Sequence, residues 1–161
     1  MNSLYQRKFD VDYFEKNTYC WRILSHLVDD AHDIIADIII SVPDMVIKNA
    51  SIKFNRYLLK ECLAIESKAS QLKGIDIQKE YREKVYKIFM GMEGCPNITN
   101  LLGIVVPGFM YTYYPHLVKT GKMKEENLVS FFTTKYPDDC LAHILFNKKD
   151  KKTNTLEGGL K

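Results

Sequence analysis

Apolar and polar side chains alternate with period two through three stretches of the N-terminal third. Trp21, Ile23 and Leu27 interleave with Arg22, Leu24 and His26; Ile34, Ala36, Ile38 and Ile40 with Ile35, Asp37 and Ile39; Ala50, Ile52 and Phe54 with Asn49, Ser51 and Lys53. Alternation in β-branched sequence predicts strands over residues 19–28, 34–41 and 46–54. Pro43-Asp44 reads as a turn, so the last two runs should pair as an antiparallel hairpin, with no parallel βαβ unit. Residues 4–14 offer a further edge strand.

Beyond residue 57 the pattern changes to helical spacing. A helix is expected over residues 58–72, stopped at Lys73-Gly74. Asp76 should cap a second helix, in which Tyr81, Val85, Ile88 and Phe89 share a face. Cys95-Pro96 should open a third, with proline at the first helical position, where a missing N–H does no harm. Residues 98–118 are strongly apolar but contain Asn100, Pro107, Gly108 and Pro115. They read as a buried, interrupted helix rather than a membrane span. Shorter helices follow at 125–132 and 138–146. Strands first and helices after predict an α+β fold, an antiparallel sheet of three to four strands covered by C-terminal helices.

Length and charge then narrow the class. The 161 residues suffice for one domain with a substantial core. The formal net charge is +3, and all of it lies in the tail, where five lysines from Lys148 onward face Asp150 and Glu157. A neutral body argues against a nucleic-acid surface. The expected organisation is a single α+β domain over residues 1–147 and a disordered basic tail over 148–161. The start has no apolar stretch like that of a signal peptide. Four irregularly spaced cysteines then read as reduced thiols of a cytoplasmic protein.

Candidate chemistry is scattered. Cys95, in Gly94-Cys95-Pro96-Asn97, sits at a helix start, where free N–H groups and the helix dipole favour a thiolate. It is expected to be the most acidic of the four thiols, and Cys20 the least reactive. Asp30, His32 and Asp33 lie between two strands and offer imidazole and carboxylate, which serve zinc or iron as well as acid–base chemistry. An ordinary polar turn has the same composition. Cys62 follows the third strand and Cys140 follows Asp138-Asp139. His26, His116 and His143 have apolar or aromatic neighbours and read as structural. There is no phosphate loop, GxSxG elbow, HExxH pair or close CxxC.

The ordered set Tyr5-Gln6-Arg7-Lys8-Phe9, Asp29-Asp30-Ala31-His32-Asp33, Val46 to Ala50, Cys62, Lys73-Gly74, Gly94-Cys95-Pro96-Asn97 and Asp138-Asp139-Cys140 resembles an uncharacterised bacterial family, domain of unknown function 2889. The resemblance implies histidine two residues after the cysteine of the GC motif, where this chain has Asn97. The element order is also similar to iron–sulfur scaffold proteins of the IscU/NifU type. That likeness implies a zinc, iron or iron–sulfur site from His32, Asp33, Cys62 and Cys95. Three functions follow: a thiol/His/Asp ligand or metal site for a small molecule or protein, an enzyme with Cys95 as nucleophile and His32 as base, or a partner-binding module without chemistry. His32, Cys62 and Cys95 should share one cleft.

Overall fold

The alternating stretches fold as strands. The three-dimensional structure is a computed structural model that describes residues 4–136. Strands β1 (Lys8–Asn17), β2 (Cys20–Val28), β3 (Asp33–Ser41) and β4 (Val46–Arg56) form one antiparallel sheet in chain order. The hairpin through Pro43-Asp44 is present, with Ile38 opposite Ala50, and every strand pairing is antiparallel.

One face of the sheet is the core. Trp21, Ile23, Leu27, Ile34, Ile38 and Ile40 are buried on it; each such side chain contributes about 1.5–3 kcal/mol on leaving water. The other face carries charge between apolar residues, including a bidentate Arg22–Asp37 pair at 2.9 and 2.8 Å.

The helices depart from expectation in three places. Residues Lys60–Leu72 wind as a 3-10 helix. The hydroxyls of Ser67 and Ser70 donate to the carbonyls three residues back, at 2.8 and 3.0 Å, and so suit the tighter winding. Asp76 caps a turn instead of a helix: its carboxylate accepts the Gln78 N–H at 2.9 Å and pairs with Lys79 at 3.0 Å. Helix α1 (Tyr81–Phe89) starts five residues later and buries Tyr81, Val85 and Phe89. Helix α2 (Pro96–Lys119) runs through Pro107 and Pro115 without interruption. Proline removes one donor and crowds one turn, and the apolar burial of this helix outweighs both.

Around the sheet edge, the Ile47 N–H donates to the Ile75 carbonyl, and Gly74 and Ile77 N–H groups donate to Ile47 and Met45. Further along β4, the Glu66 carboxylate accepts the Phe54 N–H at 2.8 Å. These contacts satisfy edge groups that would otherwise invite another strand.

Two compact units divide the chain within α2, between Met110 and Tyr111. The first holds the sheet, the 3-10 helix, α1 and the start of α2, whose Leu101, Leu102, Val105, Val106 and Phe109 are buried. The second holds the rest of α2 and helix α3 (Glu125–Lys135). It is built on aromatic rings: Tyr111 stacks on Phe132 at 5.1 Å, and Tyr114 meets Phe131 at 4.1 Å. Cys140, His143, the helix expected at 138–146 and the basic tail lie outside the described residues.

Candidate functional site

Inward positions of β2 run Trp21, Ile23, Ser25 and Leu27, and the next is Asp29, whose side chain is 0% exposed. The chain turns at Asp30-Ala31 and returns at His32, closed by the Asp29 N–H donating to the His32 carbonyl at 2.9 Å. A buried carboxylate costs several kcal/mol unless its oxygens are fully bonded. Those of Asp29 are. Oδ1 accepts the N–H groups of Ala31 and His32 at 2.8 and 2.7 Å and faces Nδ1 of His32 at 3.0 Å. Arg7 Nη2 pairs with Oδ2 at 2.6 Å. Burial pushes the Asp29 carboxyl up, but the hydrogen bonds from Ala31, His32 and Arg7 together outweigh it and hold the pKa at about 2.

The partner element is the start of α2. A Cβ on Gly94 would collide with the backbone of Phe89, so glycine lets the chain pass close by the end of α1. The Cys95 N–H then donates to the Phe89 carbonyl at 2.8 Å, and the Cys95 carbonyl accepts the Thr99 N–H at 3.0 Å. Cys95 is thus the capping residue and Pro96 the first helical one, as the sequence predicts. Asn97 follows in the first turn. Its Oδ1 accepts from Arg7 Nη1 at 3.0 Å, and its Nδ2 donates to His32 Nε2 at 3.1 Å.

Arg7, Asp29, His32 and Asn97 therefore close a ring of hydrogen bonds. It joins the residues before β1, the β2–β3 turn and the first turn of α2. A bulge at the end of β4 adds Arg56, which donates to the carbonyls of Asp29 and His32.

His32 and Asn97 line an open cleft of about 680 Å³ together with Cys62, Cys95 and Lys68. Leu58, Leu59 and Met92 stand exposed at its border, and Lys68 ties it across by donating to the Glu93 carbonyl at 2.7 Å. The structure thus places His32, Cys62 and Cys95 in one cleft. Asp33 is not among them. It lies on the opposite face of the sheet, where Oδ1 meets His26 Nε2 at 2.8 Å and Asn55 Nδ2 at 3.1 Å, and the His26 hydrogen bond holds its carboxyl below the ordinary value. Asp30 is exposed, and Cys20 is half-buried.

The four ligands expected for zinc or iron are accordingly not brought together. Among the described residues no three His, Cys, Asp or Glu side chains are grouped to hold a metal ion. The iron–sulfur scaffold likeness loses its basis with them. The hydrogen bonds of His32 run to Asp29 and Asn97, not to Cys95. Sequence reading passed over Arg7, Asp29 and Asn97 as site residues. A signal for Asp29 was present: the inward parity of β2, carried one step past Leu27, falls on a carboxylate.

A second groove, of about 940 Å³, lies between α1, α2 and Phe9 of β1. It is mostly apolar, with Val85, Ile104 and Pro107 in its lining, and contains neither cysteine nor histidine. Among the described residues no helix is long and apolar enough to cross a membrane.

No curated protein and no solved structure matches the chain. A family model matches residues 5–110. This span holds the whole ring and its cleft, and it ends where the first compact unit ends. On that match the chain belongs to the family described as protein of unknown function (DUF2889).

Proposed function

We propose that the cleft at the start of α2 is a binding site for a small, largely apolar molecule. The observation that carries this reading is the meeting of an Asp-oriented imidazole and two free thiols in one partly apolar cleft. Leu58, Leu59 and Met92 supply exposed apolar area and an adaptable thioether. His32 and Asn97 form the polar end, and the ring behind them fixes their positions. Free thiols fit a reducing compartment such as the cytoplasm. The test is a nuclear magnetic resonance titration of the full-length chain with benzyl alcohol, benzylamine and benzoate. At least one should give saturable shifts at the amides of Cys62, Cys95 and Asn97 and slow the modification of Cys95 by iodoacetamide. No saturable shifts, or shifts confined to the groove between α1 and α2, would remove the proposal.

A second reading makes Cys95 a nucleophile and His32 its base. It is favoured by one feature, a thiol at a helix start in the same cleft as a histidine oriented by a buried carboxylate. Catalytic contacts tighten in complexes, so the absence of a His32–Cys95 hydrogen bond does not decide the matter. Alkylation of Cys95 measured against pH does: a nucleophile activated by His32 slows markedly in His32→Gln, and a merely bound thiol does not.

A further inference from the structure

Going round the ring, each partner constrains the next. A guanidinium only donates, so the Asn97 atom facing Arg7 must be the carbonyl oxygen, at 3.0 Å. The Asn97 atom facing His32 must then be the amide nitrogen, a donor, at 3.1 Å. A donor facing Nε2 requires a lone pair there. From the other side, the Asp29 carboxylate only accepts, so Nδ1 carries the proton, at 3.0 Å. The chain of donors and acceptors closes for a single state of His32, the neutral Nδ1–H tautomer.

Protonating Nε2 would set two donors against each other. Turning the Asn97 amide does not help, because its NH2 would then face Arg7. Either way one hydrogen bond of the ring is lost: at Nε2 of His32, whose side chain is 12% exposed, or at Arg7, whose side chain is 34% exposed. The loss weighs most at His32, where a polar group withdrawn from water is left without a partner.

We infer that Arg7, acting through Asn97, is a positioning residue that keeps His32 neutral, so that its imidazole takes a proton only when Asn97 lets go. This rests on the reading of the cleft as the functional site and describes its control. A ligand that draws Asn97 away from His32 frees a base already oriented by Asp29. One that leaves Asn97 in place meets an uncharged wall. The charged and titratable groups around the imidazole are Asp29 and Arg7 in the ring, Arg56 on the neighbouring carbonyls, and Cys62, Cys95, Glu61, Lys68 and Glu93 around the cleft.

The test is the imidazole 15N spectrum of the full-length chain against pH, with no ligand added, so its outcome is independent of the binding experiment. Wild type should show a proton on Nδ1 and a lone pair on Nε2 at pH 8; the reverse pattern overturns the inference outright. Arg7→Met removes the constraint on Asn97, and the midpoint of His32 protonation should rise by about one unit, a tenfold change worth about 1.4 kcal/mol. Lost positive charge would also raise it, so the same change is made in Asn97→Leu. Arg7→Met should then move the midpoint by less than half as much. An equal shift in both backgrounds means that Arg7 acts by charge alone, and the inference falls.

Discussion

The phenol oxygen of Tyr13 occupies the space that a side chain on Gly108 would need. From there it donates to the Val105 carbonyl at 3.1 Å, while its ring lies 6.4 Å from that of Phe109. A strand of the sheet edge is thereby latched to the backbone of α2. The glycine after Pro107 is explained by this close approach and not by any break in the helix, which continues to Lys119. Burial raises the pKa of Tyr13, so the phenol stays a donor across the ordinary pH range.

Two glycines of the same helix should therefore respond to alanine with opposite signs. Around Gly103 a Cβ meets nothing within 4 Å, so Gly103→Ala gains helix propensity and should stabilise by about 0.5–1 kcal/mol. Gly108→Ala gains the same propensity but displaces Tyr13, loses its hydrogen bond and overpacks the site. A net loss of about 1–2 kcal/mol is expected. Tyr13→Phe removes the colliding oxygen, so the double variant should recover at least about 1 kcal/mol relative to additivity. Urea denaturation of the four chains measures this cycle. Additive effects would show that the latch does not exist in solution.

Asp29 predicts how the fold tolerates acid. Its carboxyl is held at about 2, below the ordinary carboxylate value. A depressed acid adds stability that is complete above the unfolded pKa and is lost as pH falls through the folded one. The ring should therefore contribute roughly 2 kcal/mol at neutral pH and give it up between about pH 4 and pH 2. Asp29→Asn leaves Arg7 without its counter-charge and should lose at least about 2 kcal/mol at pH 7. Its stability should also fall less steeply than that of wild type between pH 4 and 2. A variant with an unchanged acid slope would mean that other carboxylates set the acid limit.

The sheet was legible because its residues are committed locally. Alternation from Trp21 to Leu27 and from Ile34 to Ile40 fixes which side chains face the core, and Pro43-Asp44 fixes the hairpin. The opening of α2 at Pro96 and the sharing of a cleft by His32, Cys62 and Cys95 followed from their places at element boundaries. Asp33 reads as part of the polar segment between two strands and so groups with His32; it is instead the first residue of β3, on the outward face shared with Ile35 and Asp37, where His26 meets it at 2.8 Å. Arg7 and Asn97 stand 90 positions apart, and no local pattern joins them. Position 97, where the family resemblance implies histidine, holds the amide that closes the ring.

That amide can be inverted by one isosteric change. In Asn97→Asp the new carboxylate accepts from Arg7 and must also accept from His32. The imidazole then satisfies the ring only with protons on both nitrogens, and the charges of the ring become two carboxylates against a guanidinium and an imidazolium. The folded-state protonation midpoint of His32 should rise above its unfolded value. For a base raised in this way, the added stability is complete below the unfolded midpoint and is lost as pH rises through the folded one. The variant should therefore lose stability relative to wild type as pH is raised from about 5 to 8, the range over which imidazole changes charge. Melting temperatures of both chains across that range decide the point, with 15N spectra to identify the titrating ring. Parallel curves would show that the Asn97 amide does not govern the proton on His32.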